Sequence, residues 1–183
     1  MAVPLVSLGM ALLWALCAQA KVAVQPDFDL EKFSGTWHVM AGASDCAIFQ
    51  SMKDIMTTSA AIIQPLPNGD MQFQTGYPLP EECKKIEMHF KKTEQPGRFT
   101  NDEHGKKDLR VMETDYVSFA VLYVWKEAEG EPSSSTVQLL TRTPEVTPEM
   151  VERFKVHYHS VGLPDDMMVM LPKSDVCFKA LSG

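Results

Sequence analysis

The chain has 183 residues, 45% hydrophobic and 22% charged, the proportions of one soluble globular domain and not of a disordered or fibrous sequence. With 17 Lys and Arg against 24 Asp and Glu, it carries a net charge of −7, and the acidic groups are spread along its length. Neither nucleic acid nor an anionic membrane surface is indicated as a partner.

Met1 to Ala20 holds no charged side chain, contains an apolar run from Leu5 to Leu16, and ends in Ala18-Gln19-Ala20 before Lys21. The run is short of the roughly 20 residues a spanning helix needs. It predicts a removable secretory leader over residues 1–20 and a single domain over 21–183. No second apolar run approaches spanning length, so membrane insertion is not expected. Of the four cysteines, Cys17 leaves with the leader, and Cys46, Cys83 and Cys177 stay. Three is odd. In an oxidising compartment two of them pair and one remains a free thiol or an intermolecular link. Spacing alone does not choose the pair.

From Thr36 to Arg142 the hydrophobic period is two. Met71, Phe73, Thr75 and Tyr77 alternate with Gln72 and Gln74, and Ile86, Met88 and Phe90 alternate with Glu87, His89 and Lys91, so each run has one apolar and one wet face. Asn68-Gly69, Gln95-Pro96-Gly97 and the segment from Glu129 to Ser135 supply turns. The pattern predicts strands near 36–43, 56–64, 70–77, 85–92, 98–100, 107–113, 118–126 and 135–142. Eight strands with hairpin-length links imply an all-β, up-and-down antiparallel meander. Closing it into a barrel removes the exposed edges and leaves room for one small ligand. One helix follows, with Thr147 as N-cap, Pro148 in the first turn, and Met150, Val151, Phe154, Tyr158 and Val161 along one face until Gly162 and Pro164 stop it. Its apolar stripe needs the outside of the barrel as cover. Met167 to Leu171 reads as a short ninth strand.

No reactive constellation is complete. His157 and His159 stand two apart on a helix and face different ways, wrong for a shared metal. Gly105-Lys106-Lys107 lacks the remaining elements of a phosphate loop, and no nucleophile elbow or calcium loop is present. The chain is therefore expected to be no enzyme and to need no cofactor or metal.

Three spaced motifs carry a resemblance to the lipocalin family. These are Gly35-Thr36-Trp37 at the first strand, Thr114-Asp115-Tyr116 between the sixth and seventh, and Arg142 closing the eighth. The resemblance spans essentially the whole domain and implies a calyx-shaped barrel. In it Trp37 plugs the closed end with Arg142 against its ring, and Gly35, Trp37, Thr114, Asp115, Tyr116 and Arg142 serve the fold. It also implies a Cys83–Cys177 disulfide, which leaves Cys46 as the free thiol, in the first long loop at the mouth. Prostaglandin-isomerising members of the family act through a cysteine thiolate on the second strand. The matching position here is Ser59, with no base beside it.

On the phase that faces inward in the resembling family lie Val39, Ser59, Ala61, Met71, Phe73, Thr75, Tyr77, Met88, Phe90, Phe119, Val121 and Tyr123, the expected ligand wall. No Lys or Arg is evident on that phase, so neutral apolar ligands fit better than anionic ones. The expected function is a secreted, extracellular carrier. It would hold a small hydrophobic ligand (retinoid, fatty acid, steroid or odorant) non-covalently. A thiol-dependent redox or conjugating protein working through Cys46 is the alternative, and a prostaglandin isomerase ranks third. A cell-surface receptor and a disulfide-linked partner stay open.

Overall fold

The computed structural model describes residues 21–183, and the leader expected over residues 1–20 lies outside the described residues. The strands are β1 (Gly35–Ser44), β2 (Ser59–Pro65), β3 (Met71–Pro78), β4 (Cys83–Lys92), β5 (Arg98–Asn101), β6 (Lys106–Thr114), β7 (Phe119–Glu127), β8 (Ser134–Thr141) and β9 (Met168–Met170). They form one antiparallel sheet in the order β2-β3-β4-β5-β6-β7-β8-β1-β9, and β1 also pairs with β2. That last pairing closes eight strands into a barrel and leaves β9 alongside the outer half of β1. The expected meander is therefore the observed one, with β2 starting later than the pattern suggested and β4 two residues earlier.

β1 changes phase midway. Its register against β8 shifts between Val39 and Ala41, so Met40 is an extra, bulged residue. Trp37 and Val39 belong to the interior cluster, whereas Ala41 and Ala43 pack outward. A bulge re-aims every later side chain on its strand. Beyond it Gly42 turns inward, with Phe49 against it.

The helix α3 (Pro148–Ser160) starts as read. The Met150 N–H donates to Thr147 Oγ1 at 3.2 Å, and Pro148 sits in the first turn. Phe154 and Tyr158 are buried against Phe119, Val121, Tyr123, Val137 and Leu139. This corrects the wall expected on β7, because Phe119, Val121 and Tyr123 face α3 outside the barrel. The inward phase belongs instead to Ala120, Leu122 and Val124. β7 is apolar on both faces, since one covers the lumen floor and the other lies under a helix, and period two cannot say which is which.

Among the described residues three short α-helices have no counterpart in the sequence pattern: α1 (Leu30–Phe33), α2 (Ala47–Met52) and α4 (Val176–Ser182). None is long enough to show a helical period or to stand without tertiary support. Asp29 caps α1 by accepting from the Lys32 N–H at 3.1 Å. α4 is fastened by the Cys83–Cys177 disulfide, across 94 residues of chain, and by Phe178, whose ring stacks on His38 at 4.5 Å. A cross-link of that span is worth about 4–5 kcal/mol in the chain-entropy account. Both sulfurs lie directly over Gly76, where a methyl group would collide with them.

Candidate functional site

The barrel is sealed at one end by an indole and a guanidinium. Trp37 is fully buried and donates its indole N–H to the Phe33 carbonyl at 2.9 Å. The Arg142 guanidinium lies 3.7 Å from the centre of the Trp37 ring. It donates to the carbonyls of Tyr116, Thr36 and Lys32 at 3.1, 3.2 and 3.1 Å. One planar cation thus ties three chain segments together across an aromatic face, a task suited to arginine. Gly35 makes room for it, with φ at +99° and no Cβ to meet the guanidinium. Thr114 and Asp115 fix the β6–β7 turn. Thr114 Oγ1 donates to the Phe119 carbonyl at 2.8 Å, and Asp115 accepts the N–H groups of Val117, Ser118 and Phe119. Burial opposes ionisation of Asp115, but the Ser118 hydroxyl and these N–H groups hold its carboxyl below the ordinary value. The Tyr116 hydroxyl accepts the Asp29 N–H at 3.1 Å.

Above this plug the lower lumen is solid. Ala61, Met71, Ile63, Val111, Leu122 and Leu140 fill it, so the expected wall residues Ala61 and Met71 form a floor. The upper lumen is hollow and has two lobes. One, of about 220 Å³, lies beneath α2 and is bordered by Val39, Phe49, Met56, Ser59, Tyr77, Ile86 and Leu171 among others. The second, of about 250 Å³, is bordered by Phe73, Met88, Phe90, Leu109 and Val124, with Lys107, Lys126 and Cys46 toward the mouth. Thr75 and Gln138 border both lobes. Val39, Ser59, Phe73, Thr75, Tyr77, Met88 and Phe90 thus stand on cavity surfaces.

The two lysines overturn the expectation that no cation faces inward. Lys107 and Lys126 are direct cross-strand partners in the β6–β7 ladder, on the same phase as Leu109 and Val124. Burial first, and the charge of Lys126 second, push the Lys107 ammonium below its ordinary value, with Glu103 opposing them. Lys107 Nζ donates to the Glu103 carbonyl at 2.8 Å, and Lys126 has Glu131 at 3.8 Å. Like charges placed directly opposite on one face destabilise a ladder. The pattern Lys107-x-Leu109-x-Val111 held the signal for Lys107. For Lys126 the signal was lost with the phase of β7.

The lid over the first lobe is latched. Gln50 Nε2 donates to the carbonyls of Ser44 at 2.5 Å and Met167 at 3.2 Å, and Lys53 Nζ donates to the carbonyl of Asp166. The Tyr77 hydroxyl reaches Met52 Sδ at 2.6 Å. Ser59, the position that matched a catalytic cysteine, donates its hydroxyl to the Gly76 carbonyl. Half-exposed Cys46 has no disulfide partner and borders both the second lobe and a groove of about 290 Å³ along the β7–β8 rim. His157 and His159 take separate carboxylates, Glu113 and Asp165.

Comparison with known proteins agrees with this architecture. The profile of the lipocalin / cytosolic fatty-acid binding protein family matches residues 34–175. The chain is 44% identical over 168 residues to human Lipocalin-15, covering 92% of this chain and 91% of that protein. It is 26% identical over 181 residues to prostaglandin-H2 D-isomerase of Equus caballus, covering 96% and 93%. A solved structure described as "The Siderocalin Ex-FABP functions through dual ligand specificities" superposes with a TM-score of 0.71 at 28% identity, covering 78% of this chain and 95% of that one. The chain belongs to the lipocalin family, whose members bind small hydrophobic molecules.

Proposed function

We propose that this protein is a secreted, non-enzymatic carrier that holds one small hydrophobic ligand non-covalently in the two-lobed calyx, with an anionic end of the ligand at Lys107 and Lys126. The observation that carries the reading is an apolar hollow, sealed below by Trp37 and Arg142, with the cross-strand partners Lys107 and Lys126 on its wall near the mouth. Like charges directly opposite on one face of a ladder cost the fold energy that an anion between them returns. A carboxylate-headed lipid supplies both the apolar area and the charge. Fatty and retinoic acids fit this description better than the neutral ligands that the sequence favoured. Secretion rests on the leader pattern of residues 1–20 and on the disulfide, which persists in oxidising compartments.

Against isomerase chemistry stands Ser59, whose hydroxyl is spent on the Gly76 carbonyl and is hydrogen-bonded to no imidazole or amine among the described residues. The test is displacement of a fluorescent fatty-acid probe by oleate and by oleyl alcohol. The expected result is saturable displacement by both, with oleate about tenfold stronger and the difference erased in Lys107→Met/Lys126→Met. Failure of either compound to displace the probe overturns the carrier reading. A second reading uses Cys46 as an attachment point, since its thiol borders cavity and rim groove alike. Alkylation and mass spectrometry of the secreted protein should then find that thiol blocked.

A further inference from the structure

Gln138 is a polar residue in the hollow to which the carrier reading gives no task. It lies on β8 between Thr136 and Leu140, on the lumen phase, while its neighbours Val137 and Leu139 pack outward beneath α3. Polar side chains at similar depth are committed. Thr75 Oγ1 donates to the Ala60 carbonyl at 3.0 Å, Ser59 serves the Gly76 carbonyl, Tyr77 meets Met52, and Thr136 shares a 2.8 Å hydrogen bond with Ser44. The Gln138 amide has no hydrogen-bond partner among the described residues. It brings two donors and one acceptor to a wall that is otherwise mainly apolar.

Its position makes that amide hard for a ligand to avoid. Each lobe alone, at about 220 and 250 Å³, falls below the roughly 300 Å³ at which pockets for small organic ligands begin. A ligand that fills both lobes passes the boundary formed by Thr75 and Gln138. Along β8, Gln138 is four residues from Ser134, the ladder partner of Lys126, a rise of about 13 Å. A group meeting the amide is therefore well along the chain from a head held by the lysines.

We infer that Gln138 is a specificity-determining residue that reads a hydroxyl part-way along the ligand. The preferred class is an anionic lipid with a mid-chain hydroxyl, not a plain saturated or unsaturated acid. A hydroxyl both donates and accepts, which matches an amide that offers both. A plain methylene chain would cover the amide and leave it unpaired, a desolvation loss that the hydroxylated chain avoids. This inference rests on the carrier reading, and its test separates the two.

Oleate and ricinoleate differ by one mid-chain hydroxyl, so titrating each into the folded protein by calorimetry isolates that group. Wild type should bind ricinoleate about five- to tenfold more tightly than oleate. In Gln138→Leu the ratio of the two affinities should fall to about one, and Gln138→Met, which keeps the side-chain length, should do the same. Equal affinities in wild type, or a ratio that survives both substitutions, overturn the role given to Gln138 and leave the carrier standing. Binding of neither lipid to folded wild type overturns both.

Discussion

The two ends of the barrel are built on opposite terms. At the closed end the polar groups that define the family motif all have partners: the Trp37 indole, the Arg142 guanidinium, the Thr114 hydroxyl and the Asp115 carboxylate. At the open end two lysines stand opposite each other in a ladder, the Gln138 amide has no hydrogen-bond partner among the described residues, and Cys46 has no disulfide partner among them. A fold settles its polar accounts where nothing else will arrive, and it leaves groups unsatisfied where a ligand completes them. Stability should therefore respond to the floor, and binding to the mouth.

The largest effect that would break this contrast is at Trp37. Trp37→Ala removes a fully buried indole and the surface on which Arg142 rests, and it should cost about 3–5 kcal/mol in denaturant unfolding. A loss below about 1 kcal/mol would mean that the floor does not hold the barrel together. A second comparison sharpens the division between lumen and outer face. Val121→Ala, under α3, should lose about 1.5–3 kcal/mol without changing ligand affinity. Met88→Ala, on a wall that already faces empty space, should cost less than about 1 kcal/mol and alter affinity. The smallest effect has the opposite sign. Lys126→Met removes a like-charge pair and gives up only the exposed 3.8 Å contact with Glu131, which is worth little, so it should stabilise the protein without ligand by about 0.2–1 kcal/mol while weakening oleate. Destabilisation by that change would show that the lysines serve the fold and not a ligand.

Much of this could be read from residue order. β3 and β4 alternate cleanly because their outer faces are wet, so period two separates Phe73, Thr75, Met88 and Phe90 from the wet face, and the family resemblance then sets that phase toward the lumen. β7 could not be assigned in that way. Phe119-Ala-Val-Leu-Tyr-Val124 is apolar throughout, and the bulkier set, Phe119, Val121 and Tyr123, lies under a helix that begins more than twenty residues later. Lys126 was missed for the same reason, because a one-residue error of phase reverses every side chain. The bulge at Met40 hid the inward turn of Gly42, since nothing local marks an extra residue in a run of small side chains. The short helices α1, α2 and α4 owe their existence to a cap, a latch and a disulfide. Two of these three supports are contacts distant in sequence, invisible to any window.

The double-sided apolar character of β7 has a consequence for biosynthesis. Six uncharged apolar residues without proline, four of them strong strand formers (Phe119, Val121, Tyr123 and Val124), form the kind of segment that stacks between molecules when left bare. The helix that shields one side is the last long element to be made. Until it docks, the nascent chain displays a sticky ribbon, and a chain stopped before Pro148 would display it permanently, so such fragments should precipitate even though every barrel strand is present.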